Sequence, residues 1–309
     1  MYIKGKTTGG SKMKLYYQPD QTQGRVMHRI ADAIKKYSPK GKIVWVKDYK
    51  EADLVIENIY GDHKTVRAKN NDEIMKHITE KPYGIFFHGF AIPKEVVKQN
   101  PFFKECFSKA KFIYSPWDLK GEYGLELNNF LRGAWGIEEG EFFKQNNAKK
   151  RFTIACTGSV AASEAIQEIY EACKILDCKM LHLGHNFGFD SKYYENRENV
   201  SVEEVNAIFN GSKYVSALRR AEGFELPAIE AANCGIRPIC FNNPCYTHWF
   251  KDFAIFIGET DSVNVVDQLV DVLSHEPQPI AEDHRLSIRE RFKWSIVCKH
   301  IWEFILGRI

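Results

Sequence analysis

Apolar positions along the chain alternate between two periods. Short runs rich in β-branched and aromatic residues read as strands: MKLYYQP from Met13, KIVWV from Lys42, DLVIENI from Asp53, YGIFFHG from Tyr83 and KFIYSP from Lys111. Helical patterns lie between them. In VMHRIADAIKKY, Val26, Ile30 and Ile34 fall on one face. The polar stretch KQNNAKKR, Lys144 to Arg151, interrupts the alternation, which restarts with FTIACTG from Phe152. A helix with Ala165, Ile166, Ile169, Cys173 and Leu176 at helical spacing follows, then MLHLG, KYVSALR, RPICF and AIFIG as strands. Ser201 and Glu204 form a capping box, Pro227 opens a helix that Gly235 ends, and SVNVVDQLVDVLS turns Val266, Leu269, Val270 and Leu273 inward. One long helix over 286–306 closes the chain, burying Phe292, Val297, Ile301 and Phe304 or their neighbours.

Strands alternating with helices specify parallel sheets covered on both faces. The fold class is therefore α/β, with two Rossmann-like doubly wound domains in series. The expected boundaries are 1–147 for the first unit (1–12 a flexible leader ahead of Met13), 148–285 for the second, and 286–309 for the closing helix. Ligands of such sheets bind beyond the carboxyl ends of the strands where strand order reverses, and two facing domains place them in the cleft between.

Composition narrows the function classes. The 309 residues are 44% hydrophobic and 27% charged, too apolar for disorder. The formal charge of +3 is too mild for a basic DNA-coating protein. No apolar run approaches the roughly 20 residues that span a bilayer. The first twelve residues are polar and do not read as a signal peptide, so the expected location is cytoplasmic. Eight cysteines include no C-x-x-C pair and no zinc spacing, which points to reduced, buried thiols and no metal site.

The most informative stretch is ALRRAEGFELPAIEAANCGIRPICF, Ala217 to Phe241. A strand ends at Arg219 or Arg220, a loop with Gly223 follows, and a helix starts near Pro227. The first-turn amides of such a helix are unpaired and, with the positive end of its dipole, make an anion site. Gly223 allows close backbone approach to a ligand. Glu222 on the loop and Glu230 in the first turn or so of the helix are suited to accept hydrogen bonds from sugar hydroxyls. Amides for phosphate and carboxylates for hydroxyls are what a sugar nucleotide requires.

The string E-G-F-x-L-P-x-x-E-A-x-x-x-G-x-x-P-I, from Glu222 to Ile239, resembles the E-x7-E signature of retaining glycosyltransferases of the two-Rossmann-domain (GT-B) fold, especially glycosyltransferase family 4. WGIEEGEF from Trp135, SVEEVNAIFNGSKYVSAL from Ser201 and RERFKWSIVCKHIWEFI from Arg289 resemble further family segments, the last beginning a helix that packs back toward the N-terminal domain. The resemblance implies a metal-independent, retaining hexosyl- or pentosyltransferase whose second domain binds a nucleotide-diphosphate sugar and whose first presents the acceptor. The donor phosphate takes the acceptor's proton while the protein orients and stabilises charge.

Carried over by resemblance, Glu230 holds the ribose hydroxyls, Glu222 faces the transferred sugar, and the amides of Gly223, Phe224, Glu225 and Leu226 line the sugar and diphosphate. The loop at 21–25, with Gly24 and Arg25, stands where the family has a G-G-x-x-R type loop, one glycine short. His88, at the end of YGIFFHG beside Gly89, corresponds to a family histidine near both sugars. One departure is clear. Where the family has G-R-x-x-x-x-K, this chain reads Gly158, Ser159, Val160, Ala161, Ala162, Ser163. Arg219, Arg220, Arg25 and the Gly158–Ser159 amides are the expected replacements for the missing cations. Tyr246 and Trp249 are expected to pack.

No cofactor is expected beyond the nucleotide sugar. The acceptor class stays open among small sugars, glycans, proteins and nucleic acid, including modified bases. A catalytically weak sugar-nucleotide-binding protein is the alternative the missing cations favour. A nicotinamide oxidoreductase is disfavoured because neither domain's first strand leads into G-x-G-x-x-G.

Overall fold

The computed structural model describes residues 12–17, 25–59, 69–88, 101–158, 163–220 and 222–309. Two six-stranded sheets organise them, and every pairing is parallel. The first holds β1 (Met13–Tyr16), β2 (Ile43–Trp45), β3 (Leu54–Ile59), β4 (Tyr83–Phe87), β5 (Ile113–Ser115) and β6 (Phe130–Arg132), in the order β2-β1-β3-β4-β5-β6. The second holds β7 (Phe152–Gly158), β8 (Met180–Gly184), β9 (Tyr194–Arg197), β10 (Ser212–Ala217), β11 (Pro238–Phe241) and β12 (Ile255–Ile257), in the order β12-β11-β10-β7-β8-β9. These are the two common doubly wound orders. Strand direction of growth reverses between β1 and β3 in one sheet and between β7 and β10 in the other, and those are the two crevices where such folds bind ligands.

The helices are α1 (Arg25–Lys36), α2 (Lys69–Glu80), α3 (Pro101–Lys109), α4 (Ile166–Ile175), α5 (Val202–Asn210), α6 (Leu226–Asn233), α7 (Pro244–Phe250), α8 (Ser262–Ser274), α9 (Glu282–Phe292) and α10 (Trp294–Leu306). They cover the sheets, so the central strands β3 and β4 are buried at every position. The predicted capping box is present: Ser201 Oγ accepts from the Glu204 amide at 3.2 Å and Glu204 Oε2 from the Ser201 amide at 2.7 Å. Gly235 ends α6 at a φ of +79°, with the Ile236 amide donating back to the Ala231 carbonyl at 2.9 Å. In α8 the fully inward residues are Val265, Leu269 and Leu273, while Val266 and Val270 are only partly covered. All eight cysteines are free thiols, and seven are buried.

Strands β6 and β9 were not expected. They are edge strands with mostly half-buried residues, FLR and YENR, and carry no apolar run. The expected single helix at 286–306 is two helices broken at Lys293, whose backbone is extended (φ −68°, ψ 138°). The cause is tertiary. Ile137 of the segment joining the two sheets pairs with Lys293, its amide donating to the Phe292 carbonyl at 2.9 Å and its carbonyl accepting from the Trp294 amide at 3.0 Å. That bridge satisfies backbone groups the break would otherwise orphan. Beyond it α10 runs onto the first sheet's side. Trp302 Nε1 donates to the Ile34 carbonyl of α1 at 3.2 Å and its ring meets Trp45 edge-on at 5.9 Å. Among the described residues no helix is long and apolar enough to cross a membrane.

Candidate functional site

A cavity of about 470 Å³ lies where the two reversal points face each other. That is within the usual range for small-molecule sites. From the first sheet's side it is lined by Val26, Met27 and Ile30 of α1, by His88 beyond β4, and by Trp135. From the second it is lined by Thr157 and Gly158 at the end of β7, Arg219 and Glu222 beyond β10, and Phe224 to Pro227 opening α6. The corner singled out from sequence therefore opens into the gap between the domains.

Backbone chemistry at this corner suits an anion. Pro227 has no amide hydrogen, and the Ala228 amide turns back to the Glu225 carbonyl at 3.2 Å. The amides of Gly223, Phe224, Glu225 and Leu226 have no hydrogen-bond partner among the described residues. Four donors at a helix N-terminus make a site for negative charge or for sugar oxygens.

The side chains tell a different story. Arg219 reaches three carboxylates: Glu222 at 3.0 Å, Glu225 at 3.5 Å, and Glu164 in a close pair. Glu164 and Glu225 are buried. Burial works against the Arg219 charge, but Glu225, Glu222 and Glu164 outweigh it and hold its pKa above the ordinary value. Burial pushes Glu222 up to about 7 and Glu225 up to about 8, with Arg219 pulling both down. Glu164 also explains why β7 ends in glycine. A Cβ on Gly158, whose φ is +145°, would meet the Glu164 carboxylate at 1.9 Å. Sequence reading missed Glu164 because it follows an unremarkable alanine-rich stretch and its partner lies 55 positions away. Arg219 is thus enclosed by acid, and it is the one cation among the described residues lining the cavity.

Three expected site residues stand elsewhere. Arg220 pairs with Glu168 of α4 at 2.7 Å, lies over the Phe241 ring at 5.1 Å, and does not line the cavity. Gly223 is approached closely, but by the protein: a Cβ there would meet the Trp117 indole from the first sheet's side at 2.3 Å. Glu230 sits one turn behind the cavity wall, buried, with Oε1 3.0 Å from Arg29 of α1. Arg29 also holds Glu141 at 2.9 Å. Burial raises the Glu230 pKa and Arg29 opposes it. No sequence signal marked Arg29, which is 201 positions from its partner. Gly24 and Ser159 lie outside the described residues, and of Arg25 only the backbone, at the start of α1, is described. Tyr246 and Trp249 pack, as expected. Tyr246 is fully buried with its hydroxyl on the Arg219 carbonyl at 3.1 Å, and Trp249 Nε1 reaches across to the Pro116 carbonyl at 3.0 Å.

His88 lines the cavity from the opposite side, stacked on Trp135 with ring centroids 5.0 Å apart at 21°. Burial pushes its pKa down to about 3, so it is neutral at physiological pH.

No protein-family model matches the chain, and no curated protein matches it significantly in sequence. Solved structures do resemble it. Sucrose-phosphate synthase from Thermosynechococcus elongatus aligns with a TM-score of 0.64 at 12% identity, over 94% of this chain and 80% of that one. HepE from Anabaena, solved with UDP and glucose, gives 0.67 at 10% identity over 96% and 100%. The pneumococcal O-GlcNAc transferase GtfA, solved with UDP and GlcNAc, gives 0.60 at 13% over 82% of this chain and 56% of its own. The likeness establishes the GT-B fold, two Rossmann-like domains facing across a cleft.

Proposed function

We propose that the protein is a retaining glycosyltransferase that takes a nucleotide-diphosphate sugar in the interdomain cavity and transfers the sugar to an acceptor hydroxyl. The observation that carries this reading is the corner from Glu222 to Leu226, whose four amides, unpartnered among the described residues, open into a cavity between two facing switch points. The complexes of HepE and GtfA with UDP and a sugar support the choice of ligand on the same fold. In this reading the corner amides hold the diphosphate or sugar oxygens, Glu222 faces the transferred sugar, and His88 closes the acceptor side. Glu230 receives the ribose once Arg29 gives way. No metal or cofactor takes part. The cytoplasm is the proposed compartment.

A second reading has its own observation. With Arg219 enclosed by Glu164, Glu222 and Glu225, little cationic charge is available to a departing diphosphate, which favours a binding protein with weak turnover. Thermal shift against UDP-, GDP-, ADP- and CDP-sugars tests the common part. A ligand at about 100 times its Kd adds roughly 2.7 kcal/mol of stability. No shift with any of them defeats both readings. A shift without donor hydrolysis or transfer leaves the second.

A further inference from the structure

Behind the first sheet's wall of the cavity, three strand ends meet at one oxygen. Tyr17 follows β1, Asn58 lies in β3 and His88 follows β4, so all three stand at or beside the reversal point between β1 and β3. His88 Nε2 is 2.9 Å from Asn58 Oδ1, and the Tyr17 hydroxyl donates to the same oxygen at 3.0 Å. Asn58 and Tyr17 are 3% and 2% exposed, too buried for water to supply either bond. A carbonyl oxygen only accepts, so Nε2 must carry the hydrogen and Nδ1 is left as the acceptor.

We propose that Asn58 is a positioning residue whose side-chain oxygen locks His88 as the Nε2–H tautomer and holds its ring flat on Trp135 at the cavity wall. Tyr17 secures the amide by occupying the oxygen's other lone pair. The consequence for turnover rests on the proposed function: a bound sugar meets a fixed, neutral dipole, not a proton that comes and goes. The surroundings agree. Tyr17, Asn58, Trp135 and Trp117, whose indole N–H donates to the His88 carbonyl at 3.2 Å, are all neutral. Glu57, next to Asn58, belongs to the other face of β3 and pairs with His77 at 2.7 Å. Among the described residues that line the cavity, the charges facing His88 are Arg219, Glu222 and Glu225.

Long-range proton–nitrogen NMR on the 15N-labelled full chain reads the tautomer directly, with His88→Gln assigning the signals. The expected result is a protonated Nε2 and an unprotonated Nδ1 that do not titrate across about pH 5 to 8. Asn58→Leu should collapse this into a mixture of tautomers. Asn58→Asp should bring a His88 titration into that window, because a carboxylate on Nε2 favours the charged ring. An Nδ1–H tautomer in the unsubstituted protein, as a turned-over amide would impose, overturns the proposal. So does an unchanged tautomer in Asn58→Leu. Hydrolysis of UDP-glucose supplies the second readout. Asn58→Leu should lower kcat on the order of 10-fold with little change in KM, and Asn58→Asp should add a step to the pH profile. If the unsubstituted protein neither binds nor hydrolyses UDP-glucose, the functional reading suffers while the NMR result still decides the role of Asn58.

Discussion

The two walls of the cavity are built at equivalent places, the carboxyl ends of strands at a reversal point, yet they solve the burial of polar groups in opposite ways. The first wall is neutral. Tyr17, Asn58 and His88 satisfy one another, and Val26, Met27, Ile30 and Trp135 supply the rest of the surface. The second wall is ionic, with one guanidinium holding three carboxylates beside a helix N-terminus. Topology selects where a ligand sits, whereas the side chains decide whether the wall answers to pH.

The largest expected contrast comes from Arg219→Met. It leaves Glu164, Glu222 and Glu225 without their shared counter-ion, and at about pH 9, above the raised values of Glu222 and Glu225, stability should fall by about 3 kcal/mol. The loss should shrink in acid as the carboxylates protonate. Urea unfolding at both pH values checks this, and an equal loss at both would refute the ionic account of this wall. Arg29→Met, which breaks the link from α1 to Glu230, should cost about 2 kcal/mol, and Glu230→Gln in the same chain should recover part of it. Additive losses in that double-mutant cycle would mean the pair carries no coupling.

The walls should also differ in pH dependence. Glu222 and Glu225 titrate in the folded protein at about 7 and about 8, above the ordinary carboxylate value, so the folded state binds more protons and stability falls as pH rises through that interval. His88, at about 3, does the reverse: the unfolded chain binds the proton, and stability rises with pH up to the ordinary histidine range. Above about pH 6.5 only the ionic wall should contribute, at up to about 1.4 kcal/mol per pH unit for each proton. Glu225→Gln should flatten that slope, and a melting series from pH 6.5 to 8.5 (about two units, bracketing both groups) is the measurement. The smallest effect is expected from Gly223→Ala, where the new methyl meets Trp117 between the walls. About 1 kcal/mol is expected if the indole shifts, and a loss near zero would mean the walls are not in register there.

Much of the fold was legible because its signals are local. The β-branched runs of β3, β4 and β7, the capping box at Ser201 and the glycine stop at Gly235 each depend on residues a few positions apart. The corner from Glu222 to Pro227 was legible for the same reason. The edge strands β6 and β9 were not, since half-buried positions need no apolar run. The break at Lys293 was hidden because apolar periodicity runs through it without proline or glycine, and its partner Ile137 lies in the distant segment joining the two sheets.

By itself, then, the sequence determined the alternation of strands and helices, the two sheets it implies, and the loop-to-helix corner with its unpaired amides, because hydrogen bonding and periodicity act over one or two turns of chain. Only the tertiary structure decided what those groups face. It set Arg219 among three acids, Arg29 on Glu230, Trp117 on Gly223 and Asn58 on His88. Charge pairs and close contacts form between whatever the fold brings within a few ångströms, and separation along the chain carries no record of that.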